Sequence, residues 1–152
     1  MSAPAYLFDA NVWVGLAFSA HPNHARATEA YRAATAARPA CFCRSTQQSV
    51  LRLLSTPAML RVYGVAGLSN RDALATLDGF LASPSVSYRE EPPGIVAIWH
   101  RLAALPTASP KVWMDAYLAA FAMAGDLQLV TLDQAFAQFA GLNVTVLSPA
   151  IT

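Results

Sequence analysis

Acidic side chains are scarce in this chain: Asp and Glu number 9 in 152 residues, and charged residues make up only 12%. With 55% hydrophobic residues, the charge-rich, apolar-poor composition of a disordered segment is excluded. Lysine is nearly missing, since Lys111 is the single one and the other basic residues are arginines. The net charge of +1 therefore argues for no nucleic-acid partner by itself, although arginine suits bidentate phosphate contacts. Cysteine is limited to Cys41 and Cys43. Two apart on a strand, they face the same way and make an awkward disulfide, so buried core thiols are the expectation. A Cys-x-Cys zinc half-site would need more ligands than are in view. His21 and His24 are read as loop and cap residues, and His100 as lying on a helix surface. No apolar run reaches about 18 residues, so no membrane span is expected. No basic segment followed by an apolar run and a cleavage site opens the chain, so no signal peptide is expected and a cytoplasmic location follows. Gly-rich phosphate loops and a Gly-x-Ser-x-Gly elbow are missing too, which leaves nucleotide hydrolysis, dinucleotide binding and serine hydrolase chemistry without support.

What is present is an alternation of short apolar runs and helical patterns. Ala5–Asp9, Ala40–Arg44, Val86–Arg89, Leu127–Thr131 and Asn143–Leu147 read as strands. Helical spacing marks His24–Ala37 behind Asn23, Gln47–Leu54 behind Thr46, and a segment from Ser69 or Asn70 through Leu81. Gly94–Ala104 follows Pro93, a helix opened at Ser109-Pro110 runs to Ala124, and Asp133–Phe139 is a short helix. This order predicts a single domain over residues 1–152, with a mainly parallel sheet of about five strands covered by helices on both faces.

Three of the few acids stand in hydrophobic contexts: Asp9 in Leu-Phe-Asp-Ala-Asn, Asp115 in Trp-Met-Asp-Ala-Tyr, and Asp133 in Val-Thr-Leu-Asp. An unpaired carboxylate there is costly, and a hard divalent cation with oxygen preference would offset the cost. In open parallel sheets ligands bind outside the carboxyl ends of the strands. Asp9 ends the first strand, Asp133 lies past the fourth, and Asp115 is in the first turn of its helix, so the three can converge. Each also has a plain structural reading as a helix cap or a dipole partner. Asn11 and Thr131 are placed to hydrogen-bond such carboxylates, or to act as a cap and a strand-end residue. Arg44, Arg52, Lys111 and Trp113 are candidates for an RNA path, the cations meeting phosphate and Trp113 stacking on a base; Trp113 is read first as a core residue, and Arg52 has a plain role in satisfying local backbone or acidic groups. Val12, Trp13, Leu16, Phe18, Val50 and Leu51 divide between core and a partner surface.

The chain resembles PIN-domain ribonucleases of the VapC toxin type. The likeness runs through Phe8-Asp9-Ala10-Asn11-Val12, His21–Ala27, Thr46–Leu54, Asp115–Ala120 and Leu129–Phe136. It implies a three-layer α/β/α sandwich and an endoribonuclease dependent on Mg²⁺ or Mn²⁺. It also implies homodimerisation and inhibition by a small antitoxin that commonly binds DNA. By the same likeness Asp9, Asp115 and Asp133 are the catalytic metal ligands. The family has a further acid, usually Glu, where this chain has Gln47, with no acid between Glu29 and Asp72. Gln47 can coordinate through its carbonyl oxygen or hold a metal-bound water, but it brings no charge. A catalytically weak or inactive protein that binds RNA or an antitoxin is therefore the alternative. An unrelated acidic α/β domain such as a phosphoaspartyl receiver would need an acidic pair where Asp9 stands alone.

Overall fold

The computed structural model describes residues 3–65 and 67–147. Strand β1 (Tyr6–Phe8) leads into α1 (Ala10–Ala17) and α2 (His24–Arg32), and β2 (Ala40–Phe42) into α3 (Arg44–Leu54), α4 (Pro57–Val62) and α5 (Asn70–Leu81). Strand β3 (Val86–Tyr88) is followed by α6 (Ile95–Ala103) and α7 (Val112–Ala124). Strand β4 (Gln128–Thr131), a 3₁₀ turn over Gln134–Gln138 and β5 (Val144–Val146) complete the described order.

The strands pair in the order β3-β2-β1-β4-β5, and every pairing is parallel. Leu7 lies opposite Cys41 on one side and Leu129 on the other. The chain steps outward from β1 through β2 to β3, then returns to place β4 against the free side of β1. The strand order thus reverses between β1 and β4, where such sheets open a crevice beyond their carboxyl ends.

Alternation along the strands divides the core in two. Phe8, Phe42 and Val130 turn to one face, where Trp13, Val14, Val50, Leu54 and Leu77 cover them. Leu7, Cys41 and Leu129 turn to the other, under Ile95 of α6 and Ala116, Ala119, Ala120 and Phe121 of α7. The three layers follow from this division. Both cysteines are buried free thiols on the second face. Val12, Trp13 and Val50 are core, Phe18 is nearly so, and Leu16 and Leu51 are half-buried against them.

Several boundaries differ from those expected. The strands are shorter at their ends than the apolar runs. Helix α1 begins directly after Asp9 and α4 directly after Thr56, and neither was expected. Each starts from a residue in extended backbone conformation, and α1, apolar but for Asn11, shows no amphipathic period to read. Helix α2 stops at Arg32 rather than Ala37, because Thr35 and Arg38 close a turn through Thr35 N to Arg38 O (3.1 Å) and Arg38 N to Thr35 Oγ1 (3.0 Å). Asn23 provides no side-chain cap to α2; its Oδ1 accepts from Arg26 Nη1 (3.1 Å). Thr46 lies inside α3, where its hydroxyl accepts from Cys43 N (2.9 Å) and helps close the first turn. Helix α5 spans Asn70–Leu81 as its spacing predicts, with Ser69 and Asp72 in a reciprocal capping box.

Candidate active site

Asp9 leaves β1 in an extended conformation and becomes the N-cap of α1. Its Oδ1 accepts from Ala10 N (2.7 Å) and its Oδ2 from the Thr131 hydroxyl (2.7 Å). Its own N–H donates to Val130 O on β4 (2.9 Å). Asn11, in the first turn, accepts from Leu132 N at Oδ1 (3.2 Å) and reaches the Thr131 hydroxyl with Nδ2 (3.5 Å). The fully buried Thr131 also accepts from Asp133 N (3.0 Å). Asn11 and Thr131 therefore join the ends of β1 and β4 across the point where the strand order reverses.

Asp133 caps the 3₁₀ turn with Oδ1, which accepts from Ala135 N (2.9 Å). Its Oδ2 points outward to Lys111 Nζ at 2.7 Å. Asp115, in the first turn of α7, presents Oδ2 to the same ammonium at 3.3 Å. Asp9 and Asp115 line a common cleft of about 90 Å³ with Ser45, Thr46, Ser49, Met114, Leu118 and Phe136. The three aspartates thus gather at the β1–β4 edge, although each arrives on a different element.

Their surroundings pull the carboxyls apart electrostatically. Burial pushes Asp9 above the ordinary range; its hydrogen bonds from Thr131 and Ala10 pull it back, and the charges of Asp115 and Asp133 add to the push. Burial also raises Asp115, against the opposing pull of Lys111. The hydrogen bond from Lys111 holds Asp133 below the ordinary range, and the same contact raises Lys111.

The donor set is hard oxygen throughout, and a cation, the Lys111 ammonium, already lies between two of the carboxylates. Two acids are desolvated enough to be held above their usual values. These features fit a divalent ion of the Mg²⁺ or Mn²⁺ class. Among the described residues, no three His, Cys, Asp or Glu side chains are grouped tightly enough to enclose a metal by themselves.

The remaining candidates lie around this cluster. Gln47 is buried; its Oε1 accepts from Arg44 Nη1, and it does not line the acid cleft. The Arg44 guanidinium also lies over the Tyr88 ring, 4.8 Å from its centroid. Arg52 lines a neighbouring groove of about 490 Å³ with Ser45, Gln48, Ser49 and Met114. Trp113 is 54% exposed, so it is not core. It stands edge-on to Trp99, whose Nε1 donates to Trp113 O (2.8 Å). Lys111 is the counter-ion of Asp115 and Asp133, a role its i,i+4 spacing from Asp115 could have signalled. Ser45, Thr46 and Ser49 were missed, because only the position of α3 brings them beside Asp9. His21 and His24 are structural as expected. His21 Nδ1 accepts from Asn23 N (3.0 Å), and His24 Nδ1 lies 2.8 Å from Gly15 O.

Residues 6–142 match the PIN domain family. The chain is 44% identical over 144 residues to Ribonuclease VapC41 of Mycobacterium tuberculosis, in both the CDC 1551 and H37Rv strains, covering 93% of this chain and 98% of the relative. In fold it resembles VapBC2 from Rickettsia felis bound to a DNA fragment from its promoter, with a TM-score of 0.62 at 16% identity over 93% of this chain and 98% of the other. It resembles Mycobacterium tuberculosis VapC20, a sarcin-ricin loop cleaving toxin, with a TM-score of 0.61 at 17% identity over 91% and 96%.

Proposed function

This chain belongs to the PIN-domain family, and from that premise we propose that it is a VapC ribonuclease toxin whose Asp9, Asp115 and Asp133 hold Mg²⁺ or Mn²⁺. The observation that carries the site assignment is the gathering of these three carboxylates, with one ammonium between two of them, at the β1–β4 edge. A metal of this class lowers the pKa of bound water and offsets charge on a phosphodiester in attack. The chain's own residues supply the frame. Thr131 fixes one oxygen of Asp9, and Ala10 N–H fixes the other. Asn11 holds the turn before Asp133 in place through Leu132 N. Arg52, in the groove beside the cleft, offers a phosphate contact, and the exposed Trp113, in a separate groove with Leu105, Thr107 and Pro110, offers a base-stacking surface. Arg44 would need to leave Gln47 and Tyr88 to reach RNA.

A VapB-like antitoxin and a second copy of the chain are the protein partners of this reading. The antitoxin is supported by the likeness to the Rickettsia felis VapBC2 complex. Among the described residues no helix is long and apolar enough to cross a membrane.

A second reading rests on one contact. Gln47, where the family resemblance expects an acid, is held by Arg44, so the site lacks one negative charge and cleavage is weak. A single experiment separates the two. Purified protein is incubated with RNA in Mn²⁺, Mg²⁺ or chelator, beside Asp9→Asn, Asp115→Asn and Gln47→Glu. The ribonuclease reading expects metal-dependent cleavage reduced at least about 100-fold in either Asn variant. Inert wild type with active Gln47→Glu supports the weak-site reading. Undiminished cleavage by the Asn variants in chelator contradicts both.

A further inference from the structure

Lys111 is the chain's only lysine, and its Nζ lies 2.7 Å from Asp133 Oδ2 and 3.3 Å from Asp115 Oδ2. Its side chain is 69% exposed, whereas those of Asp115 and Asp133 are 14% and 31% exposed. The charge therefore sits at the mouth of the cluster, on a flexible stem, over two oxygens that face one cation-sized position. Asp9 lies behind them, close enough for the charges of Asp115 and Asp133 to act on it.

We propose that Lys111 is the resident cation of this acid cluster: it occupies the place of a divalent ion in the metal-free protein, and on metal entry turns to a non-bridging oxygen of the scissile phosphate. This rests on the proposed metal-dependent reading and assigns Lys111 a part in it. A dication attracts the two carboxylates more strongly than an ammonium at the same distance. The exposed ammonium recovers its hydration on leaving, so an exchange at the rim costs little. Lysine suits this better than arginine, because a compact ammonium on a four-carbon stem can swing between partners, whereas a guanidinium grips a carboxylate with a planar fork. Once displaced, the ammonium remains beside the ion, where a bound phosphate would accept a charge-assisted hydrogen bond. Stabilising charge that develops on those oxygens is the form of assistance such a group gives. No bond is made or broken by Lys111, and it carries no proton in the reaction.

Two consequences oppose each other in sign, which separates this role from that of a structural strut. Removing Lys111 strengthens metal binding in the absence of RNA, yet weakens turnover. Mn²⁺ binding is measured without RNA by electron paramagnetic resonance of the free ion, for wild type, Lys111→Met and Lys111→Arg. Lys111→Met is expected to bind at least roughly tenfold tighter than wild type, and Lys111→Arg no tighter. At saturating Mn²⁺ with a short RNA, kcat of Lys111→Met is expected to fall by about tenfold to a hundredfold, with partial rescue by Lys111→Arg. Equal or weaker Mn²⁺ binding by Lys111→Met overturns the proposal, and so does unchanged kcat. If neither wild type nor Lys111→Met binds Mn²⁺, the metal-dependent reading fails and this proposal with it. Mn²⁺ binding by wild type that is lost in Asp115→Asn, together with unchanged affinity in Lys111→Met, leaves that reading standing and removes only the role of Lys111.

Discussion

The two faces of the sheet are packed with different material, and each delivers a different part of the site. On the face that carries α1, large rings do the packing: Trp13 stacks on Phe42 at 4.0 Å between centroids and leans on Phe8 and Phe80. On the face that carries α7, that helix contributes four fully buried alanines, Ala116, Ala119, Ala120 and Ala122, beside Leu118 and Phe121. The ring-filled face fixes α1 and with it Asp9 at the helix start. The buried alanine stripe seats α7 on the sheet, and Asp115 at its start reaches the same edge from the opposite side. One half of the cluster is held by large rings, the other by the alanine stripe.

The largest effects are expected from substitutions that exchange the materials of the two faces. Trp13→Ala leaves a large cavity and is expected to cost about 3–5 kcal/mol in chemical denaturation. Ala119→Leu, one turn after Asp115 on the same helix face, overpacks the other side. It is expected to cost about 1–3 kcal/mol. The sharper contrast lies in function: Ala119→Leu lifts Asp115 from the edge and weakens Mn²⁺ binding, whereas a folded Trp13→Phe keeps it. Equal loss of Mn²⁺ affinity in both variants would contradict the division of labour.

A smaller effect follows from the unequal carboxyls. Asp9 and Asp115 are held above their ordinary value of 3.8 in the folded protein, Asp133 below it. A raised carboxyl contributes stability that is present below its unfolded pKa and lost as pH rises through its folded one; a lowered carboxyl contributes stability above its unfolded pKa that is lost as pH falls through the folded one. In chelator, Asp9→Asn should therefore melt higher than wild type at pH 7 and no higher at pH 3. A gain of about 1 kcal/mol would appear as roughly 2–4 °C. A variant that melts lower than wild type at pH 7 would show that the ionised Asp9 stabilises the metal-free fold.

Much of this was legible in the sequence because local and long-range signals agreed. The alternation of strands and helices implied a covered parallel sheet, and the apolar settings of Asp9, Asp115 and Asp133 marked them before any contact was visible. The spacing of α5 was equally plain, with its cap left between Ser69 and Asn70, and the capping box of Ser69 with Asp72 decides for Ser69. Where the reading fell short, the deciding contact was tertiary or the period was masked. Helix α1 is apolar nearly all round, so it hid inside a buried run. Trp113 reads as core from its hydrophobicity, yet it is exposed, although Ala116 and Ala120, further along the same stripe of α7, are fully buried. The pairing of Lys111 with Asp133 crosses from the start of α7 to the end of β4, and no local pattern records that approach. Ser45 and Ser49 join the cleft only because α3 starts immediately after β2, beside β1.

Whether Asp9, Asp115 and Asp133 hold one divalent ion is decided by crystals grown with Mn²⁺ and measured for anomalous scattering. A manganese peak is expected at the β1–β4 edge, within coordination distance of Asp115 or Asp133 and linked to Asp9 directly or through water, with Lys111 turned away. A fully loaded crystal with no peak there, or with Lys111 still bridging Asp115 and Asp133, would contradict it.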